Sequence, residues 1–269
     1  MNDTSDRAQR LATLGLTDWQ IRTGGALDGA RASSVKTTVV TAHDDAPPEP
    51  IEHDLLGAGV PETNAETEGD KQPVAQDTSE LSGLDWDGLA DWLAGQDHRG
   101  ATQPVFGIGA RAADVLIVGE APGANEDEQG VPFVGRAGQL LDRMLFAIGC
   151  SRDTNVYITN ICKFRPPDNR DPSAAEIAAD WPVLERQIDL MQPRLVVAVG
   201  RIAAQTLLGC KTPLGKLRGQ LHPYPQRDLG VLVTYHPAYL LRSPDQKHKA
   251  WADLKIIARQ IGSLASEAA

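Results

Sequence analysis

The chain has 269 residues, 41% of them apolar and 5% aromatic, enough for one full hydrophobic core with room for a second unit. Its net charge of -10 is unevenly spread: residues 1–100 hold 7 Lys and Arg against 19 Asp and Glu, and residues 101–269 hold 19 against 17. The acidity belongs to the front third, so nucleic acid is not excluded as a partner, whereas a membrane span or secretory signal is not expected, because no run of 18 apolar residues and no basic start followed by an apolar stretch occurs.

Residues 3–22 offer a short helix with Leu11 and Leu14 on one face, a stop at Gly15, and Trp19 and Ile21 beyond it. We read 1–23 as a short helical partner-binding segment. Residues 24–80 lose periodicity apart from a β-like run at Thr37–Val40. Prolines 47, 48, 50, 61 and 73 sit there among Glu, Asp, Thr and Ala, the composition of a disordered acidic linker. Trp86, Leu89, Trp92 and Leu93 then make an apolar face at helical spacing, the opening helix of a domain over 81–269.

Beyond it strands and helices alternate. Strand Val115–Val118 precedes a helix over Gln139–Ile148, and strand Val156–Thr159 precedes a helix over Ala174–Met191, with Asp171-Pro172 as its expected cap and first residue. Strand Leu195–Val199 leads through Gly200 to a helix ending near Leu208, and strand Val231–Thr234 leads to a helix over His248–Ile261. Apolar strands alternating with helices of this length imply an α/β fold: a three-layer α/β/α sandwich around a mostly parallel, four-stranded sheet. The cysteines, Cys150, Cys162 and Cys210, form no C-x-x-C pair and read as free thiols of a reducing compartment, which makes the cytoplasm the expected location.

Ligands bind such sheets at the carboxyl ends of the strands. There the sequence places Gly119-Glu120-Ala121-Pro122-Gly123, then Asn160 with Lys163, Arg165 and Arg170, then Gly200-Arg201, then Tyr235-His236-Pro237. Carboxylate, carboxamide, imidazole and cations around small residues suit a planar, hydrogen-bonding ligand joined to a phosphate. Each piece also has a plain reading: Asn160 as a turn former, Phe133 as core, Glu126-Asp127-Glu128 as a solvated charge run, and Arg165, Arg170, Arg218 and Arg242 as surface charges rather than phosphate contacts. A phosphate-binding α/β hydrolase is disfavoured, since neither a P-loop nor a G-x-S-x-G elbow is present.

Taken together, G-E-A-P-G with the following G-V-P-F-V-G-R-A-G-Q-L-L-D, Y-I-T-N with its Lys and R-P-P-D-N-R, and H-P-A-Y-L-L-R resemble the uracil-DNA glycosylase superfamily, most closely its family 4, over about residues 103–260. The resemblance implies a monofunctional glycosylase of base-excision repair that acts on uracil-containing DNA. Phe133 would stack on the flipped uracil, Asn160 would read its polar edge, and His236 would donate to O2. Glu120 would position water, although no Asp stands in the first turn of the loop. Gly119, Ala121, Pro122 and Gly123 would line the base pocket, and Lys163, Arg165, Arg170, Leu240, Leu241 and Arg242 would face DNA.

Family 4 binds a 4Fe-4S cluster through four cysteines. Here the first pair is missing, since no Cys precedes Cys150, Phe164 stands at the third place and Asp180 at the fourth, so no cofactor and no metal are expected. We expect Phe164, Trp181 and Trp92 to fill that space by apolar packing. Residues 10–22 with Gly25-Ala26-Leu27 resemble the amino-terminal peptide of the psi subunit of the bacterial clamp loader, which implies the chi subunit as a partner through Leu11, Leu14 and Trp19. The alternative to the enzyme is thus a non-catalytic psi-like accessory that uses the glycosylase fold as a scaffold.

Overall fold

A computed structural model describes residues 79–267. The segment 1–23 and nearly all of the linker at 24–80 lie outside the described residues. The first helices are α1 (Ser79–Ser82) and α2 (Trp86–Ala94), the latter capped by the Asp85 carboxylate on the Gly88 N–H. Six strands follow in sequence: β1 (Ile108–Gly109), β2 (Val115–Gly119), β3 (Val156–Asn160), β4 (Leu195–Val199), β5 (Leu221–Pro223) and β6 (Gly230–Thr234). Their spatial order is β1-β3-β2-β4-β6-β5. The four strands expected from the apolar runs form the parallel centre, while β1 and β5 add antiparallel edges and make the sheet six-stranded. Two or three residues containing Gly or Pro leave no alternation to detect. At Gly109 a Cβ would fall 2.2 Å from the Val156 carbonyl oxygen, so that edge exists only because the residue is glycine.

The central strands are buried on both faces, which is why they read as continuous apolar runs. Alternate residues nevertheless face different layers. Leu116, Val118, Tyr157, Val196, Ala198 and Val231 pack with α5 (Ala174–Met191) and α6 (Arg201–Leu207). Val115, Ile117, Ile158, Val197 and Leu232 pack with α4 (Arg136–Phe146) and α9 (Lys247–Glu267). Each Val, Leu or Ile among them stabilises the fold by roughly 1.5–3 kcal/mol. A satellite core of Leu81, Leu89, Leu93, Phe164 and Val183 joins the first two helices to α5.

Short helices α3 (Ala124–Gln129), α7 (Leu214–Leu217) and α8 (Pro237–Arg242) complete the chain. The cap of α5 is not Asp171-Pro172. Ser173 caps it, because Glu176 three residues on reciprocates in a capping box, which leaves Asp171 free to pair with Arg201. Register places Gly119 beside Asn160 and Val199 beside Thr234, so the ends of all four central strands share one rim.

Candidate active site at the sheet rim

A cleft of about 430 Å³ opens at this rim, lined among others by Glu120, Ala121, Pro122, Gly123, Phe133, Asn160, Asp171, His236 and Arg242. Residues from three strand ends and from the loop before α4 therefore meet in one place. Asn160 is 1% exposed, and its Oδ1 is buried without a hydrogen-bond partner among the described residues. A buried acceptor left in that state costs about 1–3 kcal/mol, which a ligand N–H would recover. Gly119 does not line the cleft but makes it: a Cβ there would lie 2.3 Å from Asn160 Oδ1 and 2.6 Å from the Phe133 ring. Only glycine lets the two side chains share the end of β2.

Phe133 sits in the left-handed region with φ 54°, an uncommon state for a bulky residue. Its ring lies 5.6 Å from that of His236 at 31°, so the two form neighbouring walls. The Nδ1 of His236 accepts the Ala238 backbone N–H at 3.2 Å. Burial pushes the imidazole down to about 4, with Arg242 acting in the same direction. A neutral ring whose Nδ1 accepts carries its proton on Nε2, so it presents a donor. Burial pushes Glu120 up to about 7, helped by Asp171 and opposed by Arg201. That value suits a group that exchanges a proton near neutral pH.

Two of the three residues of the acidic run are not solvated, while Glu128 is exposed. Glu126 accepts the N–H groups of Gly123, Val134 and Gly135 at 3.2, 3.0 and 3.1 Å and so ties both cleft loops together. Asp127 is buried and accepts from the Thr102 and Gln103 backbones at 2.7 and 3.3 Å. The capping-box spacing from Gly123 to Glu126 was the available signal for the first; nothing local marked the second.

Two residues expected on a DNA-facing surface, Lys163 and Leu240, lie elsewhere, and Arg218 is not a free surface charge. Lys163 is fully buried and cannot reach a phosphate: its ammonium donates to Thr159 Oγ1, the Asn160 carbonyl and Gln187 Oε1 at 2.6, 2.8 and 2.8 Å. Burial pushes it down to about 7, against the pull of Asp180. Leu240 is 1% exposed and packs into the core with Leu140 and Leu254, because α8 turns that position inward. Arg218 grips Asp253 with both arms at 2.8 and 2.9 Å and lies 4.3 Å above the Tyr235 ring. Leu241 is half-buried against the same core as Leu240, while Arg242 is exposed at the cleft mouth. Arg165 donates to Asn169 at 2.8 Å, and Arg170 pairs with Glu176 at 2.7 Å. Asn169 and Arg170 line the cleft.

The places that the family resemblance assigns to cluster cysteines hold a different arrangement. Phe164 is buried, with the Arg99 guanidinium 4.7 Å above its ring and the His98 ring 5.3 Å away. Asp180 is buried with both oxygens engaged, one by Arg99 at 2.5 Å and one by the Lys163 N–H at 2.6 Å. Cys162 lies in the sheet core, where burial pushes its thiol up to about 12, away from the thiolate that a metal needs. These residues do not fit a four-thiolate cluster. Trp92 does pack in the Phe164 core, and Trp181 in the core of the α5 face, but the centre of the space is an ion pair rather than apolar packing alone. Among the described residues no three His, Cys, Asp or Glu side chains stand where they could hold a metal ion, and no helix is long and apolar enough to cross a membrane.

The sequence profile of the Uracil DNA glycosylase superfamily matches residues 106–255. A Type-4 uracil-DNA glycosylase of Archaeoglobus fulgidus is 38% identical over 171 residues, 61% of this chain and 85% of that protein. Those of Sulfurisphaera tokodaii and Thermotoga maritima are each 42% identical, over 58% and 54% of this chain and 74% and 76% of their own lengths.

Proposed function

The chain belongs to the uracil-DNA glycosylase superfamily, and we propose that its rim cleft receives a deoxyuridine flipped out of DNA and hydrolyses the N-glycosidic bond, leaving an abasic site. The single observation that carries this reading is the orphan Oδ1 of Asn160 beside Phe133 and His236. A flipped base needs an aromatic platform and a fixed edge of donors and acceptors. The carboxamide of Asn160 can accept the uracil N3–H and donate to O4, whereas cytosine presents the opposite pattern. Phe133 supplies the platform.

Breaking the N1–C1′ bond leaves negative charge on the base and positive charge on the sugar. The neutral His236, with its proton on Nε2, is placed to donate to O2 as that charge develops, without first having to lose a proton itself. Glu120, ionised above about pH 7, would orient water and take its proton as water adds to C1′. Arg165, Arg170, Leu241 and Arg242 would meet the DNA strand around the cleft. The chain works without an iron-sulfur cluster, its place being held by Arg99, Phe164 and Asp180.

A cytoplasmic location is supported by the free thiols of Cys150, Cys162 and Cys210. A docking role for Leu11, Leu14 and Trp19 on chi is supported by sequence resemblance alone, and a pull-down of chi by the full chain tests it. The enzyme reading is tested by incubating the full-length protein with an oligonucleotide containing one deoxyuridine and identifying the released base, alongside an iron determination on the same sample. Free uracil without iron is expected. No release by the folded protein would end the reading, and stoichiometric iron would end its cluster-free part.

A further inference from the structure

Phe133 holds a backbone conformation that few bulky residues adopt, and such a conformation persists only where the surroundings over-determine it. Three contacts do so here. Gly138 lets the Phe133 carbonyl approach α4, since a Cβ there would fall 1.7 Å from that oxygen. Glu126 holds the next two N–H groups, those of Val134 and Gly135. The third contact comes from a distant element: Arg152, in the turn before β3, donates to the Pro132 carbonyl at 3.2 Å and to the Phe133 carbonyl at 3.1 Å.

Arg152 is itself fixed. Its Nε and one terminal nitrogen donate to Asp142 Oδ1 at 2.9 and 2.7 Å, and its side chain is 15% exposed. The turn that carries it is closed by Ser151 N–H to Asn155 Oδ1 at 2.8 Å. A planar guanidinium with five donors in a rigid fork can hold two carbonyls and a carboxylate at once, which a lysine cannot. At the far end of the ring, Gly119 and His236 set where the aromatic face must stop.

We propose that Arg152, oriented by Asp142, is a positioning residue for the base-stacking ring of Phe133, clamping the two carbonyls that flank the Phe133 Cα so that the ring faces the cleft. This rests on the reading of Phe133 as the stacking platform. Arg152 touches no substrate in this role. Its removal acts through Phe133 alone and leaves phosphate contacts as they are.

The test is a double-mutant cycle in the full chain, scored by single-turnover uracil release, with Arg152→Ala, Phe133→Ala and the double variant. Arg152→Ala should slow release by about 10–100-fold, as expected for a misplaced group near the chemistry. It should not change affinity for an oligonucleotide carrying a tetrahydrofuran abasic analogue, which offers no base to stack. In the Phe133→Ala background the same change should have almost no further effect. Arg152→Lys and Asp142→Asn should fall between wild type and Arg152→Ala, and they carry the test if the alanine variant does not fold. Independent, multiplying losses, or a loss of abasic-DNA affinity equal to the loss of rate, would overturn the clamp. A wild-type rate in Phe133→Ala would instead remove the stacking reading on which the proposal rests.

Discussion

Asn160 and Lys163 stand three residues apart at the end of β3, and their surroundings are opposite. Asn160 faces the rim cleft with a buried oxygen that nothing among the described residues satisfies, next to a strained aromatic residue and a histidine whose pKa is lowered. Lys163 is buried just beyond, and three acceptors meet its ammonium while Asp180 takes its backbone N–H. The Lys163 ammonium and the Arg99–Asp180 pair are met by partners within the fold and call for no ligand; the Asn160 oxygen in the cleft does. Polar groups that are fully partnered rigidify a fold, and those left without partners show where binding energy is to come from. The two regions also differ against the family resemblance: the cleft keeps its motif residues, and the knot stands where cysteines are expected.

Substitutions should separate the regions. The largest effect is expected from His236→Ala, which removes the donor to the developing anion. Single-turnover uracil release should fall by about 10²–10³-fold with little change in Tm. Arg99→Ala should do the reverse. Stripping the partner from buried Asp180 should cost about 2–3 kcal/mol in urea unfolding, below the figure for a fully buried pair because Arg99 keeps a quarter of its surface. Its rate at a temperature where it stays folded should be near wild type. Gly119→Ala would link the regions, since its Cβ would push on both Asn160 and Phe133. A loss of about 1–3 kcal/mol of stability together with slower release is expected. The smallest effect is that of pH. Glu120 acts ionised and is raised to about 7, so the rate should fall as pH drops through 7, approaching about tenfold per unit, and Glu120→Gln should flatten that limb. His236, lowered to about 4, stays neutral throughout this window and adds no second limb.

Much of this was legible before the fold. The central strands announced themselves because burial on both faces demands unbroken apolar runs, and the rim followed from their order. Glu120, Phe133, Asn160 and His236 come together as their motifs imply. What stayed hidden depends on partners distant in sequence. Lys163 looked like a surface cation because its acceptors, Gln187 above all, lie on another element. Leu240 is expected to face DNA because nothing in H-P-A-Y-L-L-R tells which leucine α8 turns inward. Arg152 and Asp142 are ten residues apart with no motif joining them, and β1 and β5 are too short to show a period. Ser173 displaced Asp171-Pro172 as a cap through Glu176, a signal that was present in the sequence and outweighed by the proline.

The most direct measurement is single-turnover release of uracil from an oligonucleotide with one deoxyuridine by the wild-type full-length chain and by Asn160→Ala, each with its melting temperature. Release by the wild type that collapses in Asn160→Ala, while the variant melts at or near the wild-type temperature, is the predicted result. Equal release by both would contradict the assignment of the orphan carboxamide oxygen to uracil recognition.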